Sequence, residues 1–173
     1  SEAQHMIARA EFKPTRQVWL DLGCGSGTFT IALAEILPLG SRVIGIDKSK
    51  QSIPDQSPKG NTISFIQSDF KDFSRTMEVD GIMMANALHF VANQHKLIND
   101  FNTAMGISQF ILIEYDTDHS NPWVPFPIKF KNLYKIFGTE RTRIRKIGER
   151  KSMYNNSMIY AAQINITQKQ SES

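Results

Sequence analysis

Residues 18–27, VWLDLGCGSG, run a short apolar stretch into Asp21 and then into three glycines at alternate positions. Glycine is entropically costly inside an element, so three in five residues mark a backbone that bends sharply or lets something come close. The loop leads straight into a helical pattern over 28–37, with apolar residues at Phe29, Ile31, Ala32, Leu33, Ile36 and Leu37. A strand, a glycine loop and a helix in direct succession are the opening of a parallel strand–helix–strand unit. In an open sheet of that kind, ligands bind beyond the carboxyl ends of the strands, which is where this loop falls.

Further apolar runs recur at suitable intervals. Strands are predicted at 17–22, 42–47, 62–67, 79–85 and 109–114, each nearly continuous in apolar residues, as central strands covered on both faces require. A second helix is predicted over 93–105, stopped by Gly106, and a third over 126–137, after NPWVPFP and before Gly138. Residues 48–61, KSKQSIPDQSPKGN, hold two prolines and few helix formers, so at most a short helix is expected there. Beyond Gly138 two extended stretches, 141–151 and 158–166, flank the turn sequence YNNS at 154–157 and predict an antiparallel hairpin. The fold class is α/β, a mostly parallel sheet with helices on both faces. At 173 residues the chain is expected to form one domain, with residues 1–16 a short lead-in and 167–173 a frayed tail.

Apolar residues make up 40% and charged residues 21%, the balance of a globular protein. No run approaches the ~18 apolar residues of a membrane span, and the N-terminus lacks the layout of a signal peptide. The lone cysteine, Cys24, allows no intrachain disulfide and suits a reducing compartment, so a cytoplasmic location is expected. Charge is uneven: residues 1–128 carry 10 Lys/Arg against 14 Asp/Glu, and residues 129–173 carry 10 against 3. Two readings of the basic end stand: it meets an acidic partner, or it guards a sheet edge against pairing.

The glycine spacing narrows the ligand. A dinucleotide fingerprint, G-x-G-x-x-G, wants Gly or Ala at position 28, where this chain has Thr28. No Lys-Ser/Thr pair follows, which excludes a phosphate-binding P-loop. Asp47, closing VIGID, can accept both hydroxyls of a ribose. Asp69, in SFIQSDF, can accept from an exocyclic adenine amine, with Phe70 or Ile46 against the ring. Asp21 is placed to face a positive group near the loop, and three carboxylates suit a cationic nucleoside better than a pyrophosphate.

With these residues in view, the chain resembles the class I S-adenosylmethionine-dependent methyltransferases over nearly all of their core. VWLDLGCGSGTF is similar to their first motif, VIGID to the second, SFIQSDF to the third and DGIMMANALHFV to the fourth, with FILIEYD as the following strand. Within that group the likeness is to small bacterial members of the ubiquinone-biosynthesis-like type. The resemblance implies a Rossmann-like sheet of seven strands in the order 3-2-1-4-5-7-6, the last antiparallel. It implies that Asp21, Gly23, Gly25 and Gly27 hold the methionine end of S-adenosylmethionine, Asp47 the ribose, and Asp69 with Phe70 the adenine. Asn86 or Ala85 would line the wall beside the sulfonium, and Cys24, Lys48 and Ser68 complete the cofactor set. The shortened segment after the second strand and the slight N-terminal cap imply a thin substrate lid, or one supplied by a second subunit in a homodimer.

Methyl transfer from a sulfonium needs alignment and exclusion of water, and a general base only where the acceptor must lose a proton. His89, in NALHFV, is the best-placed titratable side chain, as base, orienting group or packed structural histidine. Glu114 and Tyr115 end the fifth strand, pointing into the cleft or capping the next loop. Trp123, Pro125 and Phe126 form either an apolar substrate wall or a seal on the core. The fourth motif lacks the Asn/Asp-Pro-Pro-aromatic form used to stack a flipped base, which argues against amino-methylation of nucleic acid. No metal site is assigned, and Cys24 is given no catalysis. The expected function is methyl transfer to a small-molecule or lipid-like acceptor. The alternatives are a cofactor-binding protein without turnover that docks a partner through the basic hairpin, a nucleic-acid methylase, and an NAD-dependent oxidoreductase.

Overall fold

The computed structural model describes residues 1–73 and 77–167. Seven strands, β1 (Val18–Leu22), β2 (Arg42–Asp47), β3 (Thr62–Gln67), β4 (Gly81–Ala85), β5 (Gln109–Tyr115), β6 (Thr142–Lys151) and β7 (Met158–Ile166), form one sheet. Their order is β3-β2-β1-β4-β5-β7-β6, the order the family resemblance implies. The first five pair in parallel, and β7 runs antiparallel to both β5 and β6. The chain winds outward from β1 to β3 and then returns to place β4 on the other side of β1. The loops after β1 and β4 therefore splay apart at the switch point, which opens a crevice there.

The continuous apolarity of the strands follows from cover on both faces. Leu20, Leu22, Ile44, Ile46, Ile82, Met84 and Leu112 pack on one side with Ile98 and Phe101 of α3 (Gln94–Met105). Trp19, Val43, Met83, Ile111 and Ile113 pack on the other with Ala32, Leu33 and Ala34 of α2 (Thr28–Ile36). Asn93 caps α3 by accepting from the Lys96 N–H at 3.0 Å, and Gly106 ends the helix in the left-handed conformation. Asn61 donates to the carbonyls of Ala34 and Leu37, closing the orphaned end of α2 from the segment after β2.

The lead-in is structured, one predicted helix is shortened, and one loop expectation is met. The lead-in contains a helix, α1 (Glu2–Ile7), whose Ala3, Met6 and Ile7 are buried against the α2 face. Six residues are too few for periodicity to show. The helix expected over 126–137 is only α4 (Leu133–Phe137), preceded by a 3-10 turn at Phe130–Asn132. Pro125 and Pro127 hold the chain extended before it, and the Phe126 N–H donates to the His89 carbonyl at 3.0 Å instead of entering a helix. Residues 48–61 contain no helix and run as loop to an isolated bridge between Gln56 and Thr62. The frayed tail expected at 167–173 lies, apart from Thr167, outside the described residues.

Part of the basic end is engaged within the molecule. Arg145 donates to the Arg9 carbonyl and to Gln163, Arg150 pairs with Glu2 at 3.1 Å, and Lys146 pairs with Glu149 and lies over the Phe130 ring. Among the described residues no helix is long and apolar enough to cross a membrane.

Gly81 opens β4 with no room for a side chain, since a Cβ there would sit within 2.6 Å of the fully buried Trp19 indole. Gly81→Ala should therefore lose about 1–3 kcal/mol through overpacking. Urea denaturation followed by tryptophan fluorescence measures this, and an unchanged midpoint would count against the packing described.

Candidate functional site

The glycine loop is tied to the end of β2. The N–H groups of Gly23 and Cys24 both donate to the Ile46 carbonyl, at 2.8 and 3.1 Å. The Gly25 N–H donates to Asp47 Oδ2 at 2.9 Å. The glycines serve different ends. A Cβ on Gly23 would meet that of Ala87 at 2.7 Å, and one on Gly27 would meet Ile53 at 2.8 Å, so both are required by packing. Gly25, at φ +51°, has nothing within 4 Å of where its Cβ would point, and so is the one that leaves bare backbone facing open space. Cys24 turns inward against Gly45; burial, with Asp21 and Asp47 nearby, pushes its thiol up to about 12. It therefore stays protonated and unreactive.

Asp21 is buried at the end of β1, with Oδ2 accepting from the Thr30 hydroxyl at 2.6 Å. Its Oδ1 is buried with no hydrogen-bond donor in reach among the described residues. Desolvation raises this carboxyl to about 7, against the Thr30 hydrogen bond that lowers it, with Asp47 adding to the rise. Asp47 also accepts from the Ser49 N–H through Oδ1 at 2.9 Å, so its carboxylate is fixed at the tip of β2. Asp69 accepts from the Lys71 N–H at 2.9 Å and starts the 3-10 turn Phe70–Asp72. Gly23, Asp47, Lys48, Asp69, Phe70 and Asn86 share one cavity of about 230 Å³. Asp21, Cys24, Gly25, Gly27 and Ser68 stand outside its lining: Asp21 is buried in β1, the Ser68 N–H is spent on the Asp47 carbonyl, and the Cys24 side chain is packed on β2.

A larger cavity, about 660 Å³, adjoins the first through shared Asn86 and Phe90. Asn86 takes a positive φ of 52°, uncommon for a residue with a side chain. Its N–H donates to the Ile113 carbonyl at 2.8 Å, and its side-chain Oδ1 is buried without a donor partner among the described residues. His89 and Tyr115 line this cavity, as does Trp123. His89 Nδ1 lies 2.6 Å from Glu114 Oε2, and the His89 N–H reaches Glu114 Oε1 at 3.3 Å. Both residues are buried, so Glu114 backs His89 and does not itself line the cavity. Phe126 is likewise absent from the lining; its backbone is held between the His89 carbonyl and the Gln94 amide.

Sequence reasoning missed part of this wall. Asn121 lines the cavity, and so do Tyr154 and Asn155 from the turn between β6 and β7. Only the turn propensity of YNNS was legible. A tyrosine there, 88% exposed beside an exposed Met153, is the unused signal.

The comparisons with known proteins agree with this geometry. A family model described as a methyltransferase domain matches residues 20–105, from β1 to the end of α3. The chain belongs to the class I S-adenosylmethionine-dependent methyltransferase family. Family membership thus covers the glycine loop, both carboxylate-bearing strand tips and His89. Among curated relatives, a trans-aconitate 2-methyltransferase from Acidovorax sp. is 32% identical over 90 residues, 52% of this chain and 34% of the relative. The match thus spans about a third of that relative's length. Among solved structures, a 1,6-didemethyltoxoflavin-N1-methyltransferase from Burkholderia thailandensis aligns with a TM-score of 0.66 at 14% identity, covering 96% of this chain and 77% of the other. A Listeria monocytogenes protein described as a putative S-adenosylmethionine-dependent methyltransferase aligns at 0.63 and 14% identity, covering 96% and 98%. These likenesses carry the fold.

Asp21 makes stability pH-dependent with a definite sign. Its folded pKa of about 7 lies above the ordinary 3.8, so between those values the folded chain holds a proton that the unfolded chain has released. Its stabilising contribution is complete below about 4 and is lost as pH rises through about 7. Thermal melts should show a component of stability falling across that window, and Asp21→Asn should abolish that component. Identical pH profiles for the two proteins would contradict the buried, donor-poor setting of Asp21.

Proposed function

We infer that this chain, acting as one domain, transfers a methyl group from S-adenosylmethionine to a small-molecule or lipid-like acceptor. The observation that carries the reading is the pair of adjoining cavities at the switch point, meeting at Asn86 and Phe90. The smaller has the chemistry of an adenosyl sulfonium site. Its Asp47 carboxylate suits ribose hydroxyls and its Asp69 with Phe70 suits an adenine, while outside its lining Gly25, hydrogen-bonded to Asp47, leaves bare backbone that admits close approach. The unpartnered oxygens Asp21 Oδ1 and Asn86 Oδ1 are acceptors that call for a cationic or N–H-bearing partner. In this reading Asp21 faces the ammonium end and Asn86 the wall near the sulfonium.

When bound, S-adenosylmethionine supplies a methyl group already activated for in-line displacement. The remaining work for the protein is to align the acceptor and keep water out. Trp123, Tyr115 and Phe90 give the larger cavity an aromatic wall for an acceptor body. No lysine or arginine is among its lining residues. That favours a neutral acceptor over a polyanion such as trans-aconitate, the substrate in the relative's name. The Burkholderia enzyme was solved with 1,6-didemethyltoxoflavin and S-adenosylhomocysteine bound together, which supports the two-cavity reading.

Isothermal calorimetry with S-adenosylmethionine and S-adenosylhomocysteine tests the proposal. One-to-one binding of both is expected, and Asp47→Ala should weaken it at least about tenfold by removing a charged acceptor and loosening Gly25. Absence of binding at millimolar ligand would refute it.

A further inference from the structure

We propose that His89 and Glu114 form a proton-accepting dyad, and that the methyl acceptor is a hydroxyl carried on a flat, uncharged ring. This rests on the methyl-transfer reading above. Glu114 Oε2 lies 2.6 Å from His89 Nδ1, and Oε1 accepts from the His89 N–H. An ionised carboxylate only accepts, so Nδ1 carries the ring proton and donates it. That tautomer leaves Nε2 with a lone pair, and Nε2 makes no hydrogen bond among the described residues. His89 lines the larger cavity while Glu114, fully buried, holds the ring from behind. This is the base-plus-orienter arrangement in which the carboxylate fixes the tautomer and stabilises the imidazolium that forms.

A base at this place restricts the acceptor. An amine attacks through its own lone pair and a carboxylate is already charged, so neither needs its proton removed first. A hydroxyl does. The hydroxyl proton passes to His89 Nε2; the oxygen's electron pair forms the new bond to the methyl carbon, and the carbon–sulfur bond breaks with its pair going to sulfur. The body of the acceptor is set by the wall. Tyr115, Trp123 and Tyr154 present aromatic surface, with Trp123 78% and Tyr154 88% exposed, while Asn121 and Asn155 add neutral polar groups. Such a surface favours a flat ring and offers nothing to neutralise an anion. The titratable groups around His89 are Glu114 and Tyr115 on β5, Tyr154 of the hairpin turn, and Tyr160 on β7, whose buried phenol is pushed up and donates to the Ile128 carbonyl. α3 and the proline-rich loop face it with the neutral Gln94 and Phe126. Among the described residues Glu114 is thus the one carboxylate in contact with the imidazole.

The test uses 4-nitrophenol and 4-nitrobenzoate as probes of the full chain, with S-adenosylhomocysteine binding measured separately by calorimetry. Failure of the calorimetry alone would refute the cofactor reading and leave the probe result to be judged by itself. The phenolate absorbance of bound 4-nitrophenol should appear at least about one pH unit below that of the free probe, a tenfold change in ionisation. His89→Gln should abolish that shift and Glu114→Gln should diminish it, with Glu114→Asp restoring part. 4-Nitrobenzoate should bind at least about tenfold more weakly. Should the His89 variant not fold, the two Glu114 variants give the same reading with the imidazole in place. The proposal fails if 4-nitrophenol does not bind, if it ionises as in free solution, if the shift survives loss of His89 or is untouched by Glu114→Gln, or if 4-nitrobenzoate binds equally well.

Discussion

The attachment of the glycine loop to the end of β2 governs the rest of the site. A single carbonyl, that of Ile46, accepts from both Gly23 and Cys24, and the next residue, Asp47, accepts from Gly25. These bonds fold the loop over the strand tips so that Gly25 faces outward and Cys24 faces in. They also couple the two halves of the proposed ligand cradle: the carboxylate suited to a ribose is the one that holds the loop suited to the methionine end. Packing enforces the same arrangement independently, because side chains at Gly23 and Gly27 would collide with Ala87 and Ile53.

Around that anchor the protein keeps several groups in settings that cost stability. Asp21 is sealed with one oxygen unpartnered, and Asn86 holds a left-handed backbone with a bare amide oxygen. Buried polar atoms without partners cost on the order of 1–3 kcal/mol each, and such local conflicts concentrate where a fold does its work. Asp21 lies on β1 and Asn86 directly follows β4, at the strands that flank the switch point and not in the periphery. The His89–Glu114 pair is the contrasting case: it is buried but mutually satisfied, which makes it rigid and fixes where Nε2 stands.

The strands were legible because β2 and β3 carry Val, Ile and Phe at their centres and are bounded by breakers, and the predicted bounds 42–47 and 62–67 match them. The carboxylates at the strand tips were legible for the same reason, since a strand's end fixes where its last side chains stand. What escaped was tertiary in origin. α1 is too short to show a period, and the helix expected over 126–137 lost its first turns to proline and to the Phe126 N–H donating to the distant His89 carbonyl. The pairing of His89 with Glu114 joins residues 25 apart on neighbouring strand ends, and the approach of Tyr154 to the cavity depends on the hairpin folding back along β5. Neither contact has a local signature, although the parallel register of β4 and β5 could have suggested the first.

The central claim is that the two cavities are the two halves of one methyl-transfer site meeting at Asn86. A crystal structure of the chain soaked with S-adenosylhomocysteine measures this directly. The account predicts the ribose hydroxyls on Asp47, the adenine beside Asp69 and Phe70, and the sulfur at Asn86 facing the cavity that His89 lines. Density for the ligand elsewhere, or with its sulfur turned away from that cavity, would contradict it.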